Sequence, residues 1–297
     1  MQTRLVTTSD GTFECPDDGF ADHFGAQGHQ RPDIAFMQSV VRPGDVVIDA
    51  GAFVGTMTVP LGQSVGEHGR VIAVEAMPEH VEVLRRNIAR NGVEDRTTVV
   101  HRVLSTRRGA AVAHAAGGLA AMTWFEVGDA GDDATAQGPG TGTTTIDETV
   151  RDHVRVGDTV RLVKIDVEGL ELDVLRGAEE LIRAHHPVFM IEISQIQLAR
   201  YGARTREIDS FLRHRGYKLY LNIDRTDEAA RAFRPGRIPR LTMLGPMLTD
   251  IYAIPIGHEV TPARDRTVAT SLLIIRRWPS VARRRARAFA RRIRADR

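Results

Sequence analysis

The sequence predicts an α/β fold built on a mainly parallel sheet. Three observations carry that expectation: short apolar runs alternate with segments of helical periodicity, an acid-and-glycine turn follows the first buried run, and the last two runs have no helix between them. Alternation of this kind implies right-handed crossovers, and the final pair can close one edge antiparallel. With 297 residues and 42% hydrophobic content, one sheet with additions can bury a large core.

Residues 1–45 read as a lead-in or cap. Its last part, Ile34-Ala35-Phe36-Met37 with Val40-Val41, has helical spacing and ends at Arg42-Pro43-Gly44-Asp45. Strands follow at Val46-Val47-Ile48, Val71-Ile72-Ala73-Val74 and Thr98-Val99-Val100-His101. Before the third, Pro78 sits where a helix can start, and Val81, Leu84 and Ile88 share one face until Asn91-Gly92 closes it. Residues 117–143 are rich in Gly, Asp and Thr and read as a flexible insert over the site. The alternation resumes with a fourth strand at Val160-Arg161-Leu162-Val163-Lys164-Ile165, then one helix carrying Leu172, Leu175, Ala178 and Leu181-Ile182. Val188-Phe189-Met190-Ile191 is the fifth strand. Ile208, Phe211 and Leu212 mark a helix stopped by Gly216, ahead of strands at Tyr217-Lys218-Leu219-Tyr220-Leu221 and Ile251-Tyr252-Ala253-Ile254.

A strand that ends in a carboxylate, turns on glycine and starts a helix leaves backbone N–H groups facing a ligand crevice. Here the turn is Asp49-Ala50-Gly51-Ala52-Phe53-Val54-Gly55. Its D-x-G-x-x-x-G spacing lacks the G-x-G-x-x-G that receives a pyrophosphate, which disfavours a dinucleotide. S-adenosylmethionine carries no phosphate. It needs room beside the glycines for its amino-acid part and an acid for its ribose, and Glu75 after the second strand can accept from both ribose hydroxyls. The expected cofactor contacts are Asp49, Gly51, Ala52, Phe53, Gly55, Glu75 and Ala76; a structural glycine turn with a solvated glutamate is the competing reading.

Five segments resemble, in order, the motifs of the FkbM family of S-adenosylmethionine-dependent methyltransferases. They are Val47-Ile48-Asp49-Ala50-Gly51-Ala52-Phe53-Val54-Gly55, Val74-Glu75-Ala76-Met77-Pro78, Leu84-x-x-Asn87-x-x-x-Asn91, Thr145-Ile146-Asp147 and Lys164-Ile165-Asp166-Val167-Glu168-Gly169-Leu170-Glu171. The last is the most specific, and the resemblance runs from about residue 24 to 256. It implies a class I (Rossmann-like) methyltransferase domain over residues 46–260, with seven strands in the order 3-2-1-4-5-7-6. It also implies O-methylation of a hydroxyl on a sugar, glycolipid or polyketide-type molecule. Phe53 stands where the family usually has Asn and Ala76 where it usually has Pro, departures that bear on the shape of the pocket.

The donor sulfonium is already activated, so such an enzyme must align an oxygen with the methyl, exclude water and remove a proton. Asp166 and Glu192 follow the fourth and fifth strands, on the rim that would face the methyl. Glu168 reads as a first-turn carboxylate of the next helix. These three are the catalytic candidates, with helix capping the competing role for Asp166. His101 is a further base candidate because its free pKa lies near neutrality.

No apolar run approaches the ~20 residues of a membrane helix, and residues 1–10 lack a signal-peptide pattern. Cys15 is the sole cysteine and the eleven His are scattered, so neither an internal disulfide nor a zinc site is expected. No metal ligands are assigned, a carboxylate-bound Mg2+ stays open, and the cytoplasm is the expected location. Residues 276–297 hold ten Arg and one Asp, leaving the remainder at −7. Within the Arg-rich tail, 261–297, Ala282, Ala286, Phe289 and Ile293 recur at helical spacing. Peripheral contact with an anionic membrane, at the inner face, competes with a merely solvated tail. Nucleic acid is disfavoured, since the rest is acidic and offers four Tyr and two Trp for stacking. An RNA methyltransferase and a noncatalytic partner-binding protein are the alternative functions.

Overall fold

The computed structural model describes residues 1–17, 19–27, 31–115, 123–128, 141–222, 235–238, 241, 249–257 and 266–267. The lead-in forms β1 (Thr3–Thr8), β2 (Gly11–Pro16), α1 (Phe20–Gln27) and α2 (Arg31–Val40). An alternating series follows: β3 (Val46–Ala50), α3 (Thr58–Ser64), β4 (Arg70–Glu75), α4 (Pro78–Arg90) and β5 (Thr97–His101). Four short strands come next, β6 (Val103–Leu104), β7 (Ala110–Ala115), β8 (Thr123–Gly128) and β9 (Thr141–Thr144). Alternation returns with α5 (Ile146–His153), β10 (Val160–Ile165), α6 (Glu171–Arg176), α7 (Glu179–His185), β11 (Val188–Ile193), α8 (Gln195–Arg200) and α9 (Thr205–His214). The chain closes with β12 (Tyr217–Asn222), β13 (Pro235–Arg237), β14 (Thr249–Pro255) and β15 (Arg266–Thr267).

The central sheet runs β5-β4-β3-β10-β11-β14-β12-β13-β15. The first five strands pair parallel, whereas β14 lies antiparallel to both β11 and β12. The first seven strands follow the expected order 3-2-1-4-5-7-6, but among the described residues the sheet is mixed and has nine strands rather than seven, because β13 and β15 extend the edge beyond β12. Antiparallel neighbours need no crossover helix, which is why a missing helix between the last two long strands marks this edge.

β3 is buried along its whole length, as a parallel strand with both faces covered must be. Val46, Ile48 and Ala50 face one core with Leu172, Leu175, Ile182 and Leu212, while Val47 joins Phe36, Met37 and Leu61 on the other face. Two expected elements differ. The helix across 171–185 is two helices, because Asp147 pairs with backbone groups on both sides of the break, its N–H donating to the Gly177 carbonyl at 2.8 Å. Asp147 supplies the second helix with its cap, accepting from the N–H groups of Glu180 and Leu181 at 2.9 and 2.8 Å. Of the expected insert at 117–143, residues 123–128 and 141–143 are strands of a four-stranded sheet, β6-β9-β7-β8, and 117–122 and 129–140 lie outside the described residues. The arginine tail, 276–297, also lies outside them. Among the described residues, no helix is long and apolar enough to cross a membrane.

The β1–β2 hairpin docks on α4 through two side-chain amides one helical turn apart. Asn91 accepts from Thr12 N–H (3.0 Å) and donates to the Thr12 carbonyl (2.9 Å). Asn87 accepts from Glu14 N–H (2.7 Å) and donates to the Glu14 carbonyl (2.9 Å) and to that of Val54 (2.8 Å), in the turn after β3. Asn87 is fully buried, so Asn87→Ala strands backbone groups that water cannot reach. We expect it to lower the unfolding free energy by about 2–4 kcal/mol. Arg86→Ala, which breaks the neighbouring half-exposed ion pair with Glu14, should cost less than about 1 kcal/mol. Urea titration of both variants compares them, and equal losses would refute the assignment.

Candidate active site

Gly51, Phe53 and Gly55 all have positive φ, at 78°, 52° and 91°. A Cβ on Gly51 would lie 1.8 Å from the Asp166 carbonyl oxygen, and one on Gly55 would lie 2.8 Å from Leu84 Cδ1. Glycine is therefore required at both. The Gly51 and Ala52 N–H groups donate to the Val74 carbonyl at 2.9 and 3.0 Å, which lays the turn across the end of β4. Phe53 N–H donates to Glu75 Oε2 at 2.8 Å, while Glu75 Oε1 accepts from Met77 N–H at 2.9 Å and meets His80 Nδ1 at 3.3 Å. Burial alone would raise the Glu75 pKa, but His80 and the two backbone donors outweigh it and hold the carboxyl below its usual range. Ala76 is half-buried against the small sheet, and its carbonyl accepts from His101 Nε2 at 3.1 Å. His101 thus stands on β5 beside Glu75, with β4 and β3 between it and β10.

Asp49 does not face the crevice. It is wholly buried, with Oδ2 accepting from Thr58 Oγ1 at 2.6 Å and Oδ1 lying 3.3 Å from Lys164 Nζ. Lys164 is the residue that sequence reasoning missed. Its ammonium donates to the Gly51 carbonyl at 2.7 Å and lies 3.4 Å from Asp166 Oδ2, so one buried cation touches the turn and both acids. Burial disfavours its charge, but Asp49 and Asp166 more than compensate and hold its pKa above the ordinary lysine value. One signal was available: Lys164 and Lys218 are the only lysines in the sequence, and Lys164 lies in an apolar strand.

Asp166, Glu168 and Glu192 converge, each offering an oxygen within 4.8 Å of the others. That spacing could also hold one hard divalent cation. The pKa values of Glu192 and Glu168 lie well above the usual range, through burial first and the neighbouring carboxylates second. Glu168 departs from its expected position. It lies in the loop at φ 56°, three residues before α6, so the first-turn carboxylate is Glu171. Its side chain accepts from Gln197 Nε2 of α8, a partner no sequence pattern marked. Asp166 caps no helix, since α6 starts at Glu171 without a side-chain cap.

The methyltransferase FkbM domain matches residues 49–219, more than half of the chain. The chain belongs to the FkbM methyltransferase family. S-adenosylmethionine is its methyl donor. A 54-residue stretch is 43% identical to catechol O-methyltransferase of Mycobacterium tuberculosis, covering 18% of this chain and 24% of that protein. Another, of 62 residues, is 37% identical to the tRNA (adenine(57)-N(1)/adenine(58)-N(1))-methyltransferase of Methanocaldococcus jannaschii, covering 20% and 22%. These matches span less than a quarter of each curated relative. Similar solved structures include the FkbM methyltransferase of Methylobacillus flagellatus KT (17% identity, TM-score 0.41, 80% of this chain and 61% of that one). Fibrillarin of Aeropyrum pernix, solved with natively bound S-adenosylmethionine, is another (13%, 0.41, 85% and 82%).

Within this FkbM domain, Glu171 is 1% exposed, with Oε1 accepting from Gly169 N–H at 2.8 Å. Burial raises its pKa from 4.5 to about 7. The folded protein therefore holds a proton that the unfolded chain releases near pH 4.5, and this group's contribution to stability falls as pH rises from about 4.5 to about 7. Glu171→Gln keeps the acceptor and removes the titration. Its stability relative to wild type should gain about 3 kcal/mol between pH 4.5 and pH 8, by the free-energy equivalent of the shift. Urea unfolding at both values measures this, and a pH-independent difference would refute the buried proton.

Proposed function

We propose that this chain is an O-methyltransferase whose acceptor is a hydroxyl of a sugar, glycolipid or polyketide-type molecule. The observation that supports the reading is a cluster of three carboxylates, one of which, Asp166, abuts the glycine turn through its backbone. Asp166 touches Gly51 through its backbone, and its side chain meets Glu168 and Glu192. Asp166 is assigned as the group that orients the acceptor hydroxyl and takes its proton. Bound S-adenosylmethionine would supply an activated methyl group, the O–CH3 bond replacing its S–CH3 bond, and the part of this chain would be to align the hydroxyl oxygen in line and take its proton at Asp166.

The other residues act on position and charge. Lys164 holds the Gly51 carbonyl and Asp166 with one ammonium, so turn and base keep a common origin. Glu168 and Glu192, with pKa values pushed up, can keep protons and donate to the acceptor's remaining oxygens. Glu75 is assigned to the ribose. Asp49, buried under the turn, supports it from below and does not touch the cofactor.

Labelled S-adenosylmethionine incubated with saccharide, glycolipid, polyketide and RNA pools identifies the acceptor; label confined to RNA would replace this reading. With that acceptor, Asp166→Asn should lower methyl transfer by about 10²-fold or more, the scale of general-base loss, while donor affinity stays within about fivefold. Near-normal turnover would refute the base assignment, and turnover that disappears on chelation would make the cluster a cation site. Glu75→Ala should weaken donor binding in calorimetry by at least about tenfold. An unchanged affinity would remove Glu75 from the cofactor site.

A further inference from the structure

His80 belongs to no sequence motif of the site, yet it meets both halves of the cofactor crevice. It lies in the first turn of α4 and is 5% exposed. Its Nδ1 stands 3.3 Å from Glu75 Oε1. Its ring meets that of Phe53 edge-on, with centroids 4.6 Å apart and planes at 79°. On its far side Phe53 meets Phe20 of α1, again edge-on, at 5.0 Å. An ionised carboxylate only accepts, so the proton of this contact sits on His80 Nδ1.

The count of acceptor positions gives the contact its meaning. A carboxylate offers roughly four lone-pair sites, two on each oxygen. Met77 N–H and His80 occupy those of Oε1, and Phe53 N–H occupies one on Oε2. Among the described residues this leaves one acceptor position, on Oε2, for a ligand. Without His80 a second acceptor position opens on Oε1, and only the Met77 and Phe53 N–H groups orient the carboxylate, so a ligand hydroxyl is no longer directed to Oε2. The same ring also braces Phe53, a non-glycine residue at φ 52°, whose N–H is the other tether of Glu75.

We propose that His80 is a positioning residue of the cofactor site, fixing the Glu75 carboxylate so that Oε2 meets a ribose hydroxyl and propping Phe53 in its left-handed conformation. This rests on the assignment of Glu75 to the ribose. It predicts dependence on the ligand's hydroxyls, which a purely structural histidine would not show. His80→Phe keeps a ring against Phe53 and loses the donor; His80→Asn keeps a donor toward Glu75 and loses the ring.

Calorimetry on the full chain compares S-adenosylhomocysteine with its 2′,3′-dideoxy analogue. Wild type should prefer the natural ligand by at least about tenfold, the scale of one hydrogen bond to a charged group. His80→Phe should reduce that preference to below about threefold, mainly by weakening S-adenosylhomocysteine, while His80→Asn retains most of it. Retention of the full wild-type preference by His80→Phe overturns the proposal. If circular dichroism shows that variant unfolded, His80→Ala against His80→Asn decides: equal preferences overturn the proposal, and loss in the alanine variant alone supports it. No preference in wild type refutes the Glu75 assignment itself, and the role of His80 falls with it. The two failures are therefore distinguishable.

Discussion

One buried ammonium organises the site. Lys164 and Asp49 are register partners on adjacent strands, so their side chains emerge from the same face of β10 and β3. From there Lys164 reaches the carbonyl of Gly51 and the carboxylate of Asp166. One carbonyl accepts its hydrogen bond and two carboxylates pair with its charge within 3.4 Å, which suits a compact ammonium better than a planar guanidinium. In a chain that uses arginine nearly everywhere else, this position has a physical reason to be lysine. Loss of that charge would leave two acids close together with no cation between them, Asp49 fully buried.

Around this anchor the backbone is strained in two places. Phe53 and Glu168 are non-glycine residues in the left-handed region, one in the turn after β3 and one in the loop after β10. Gly51 and Gly169 flank them with positive φ and no room for a Cβ; at Gly169 the obstacle is the Gln197 carbonyl, 2.6 Å away. Strain of this kind persists only where neighbours over-determine it, and here the neighbours are a bound carboxylate, a buried ammonium and α8. Turn and acids are thus held by the same close contacts that exclude side chains from between them.

Legibility in the sequence followed burial. Four of the five parallel strands were readable as apolar runs buried nearly throughout, β5 at the edge only through its valines, and the strand ends located Glu75, Asp166 and Glu192. β1 and β2 were missed: only one face of the hairpin is buried, and its threonines disguise the alternation, although Asp10-Gly11 is a turn signal. β8 was hidden by its glycine- and aspartate-rich flanks. The split between α6 and α7 depends on hydrogen bonds to Asp147, far upstream in the chain, that periodicity does not carry. Glu168 was misplaced because a left-handed residue before a helix looks like its first turn. Lys164, His80 and Gln197 act through neighbours distant in the chain, and spacing alone does not show those.

The amide contacts between α4 and β2 have a consequence for how the molecule meets others of its kind. A strand edge displays a row of unsatisfied N–H and C=O groups that can recruit a foreign strand. In β2 the edge turned away from β1 is answered at alternate residues, Thr12 and Glu14, by Asn91 and Asn87. A helix stands in for the missing neighbour, and the hairpin is closed to self-association on that side.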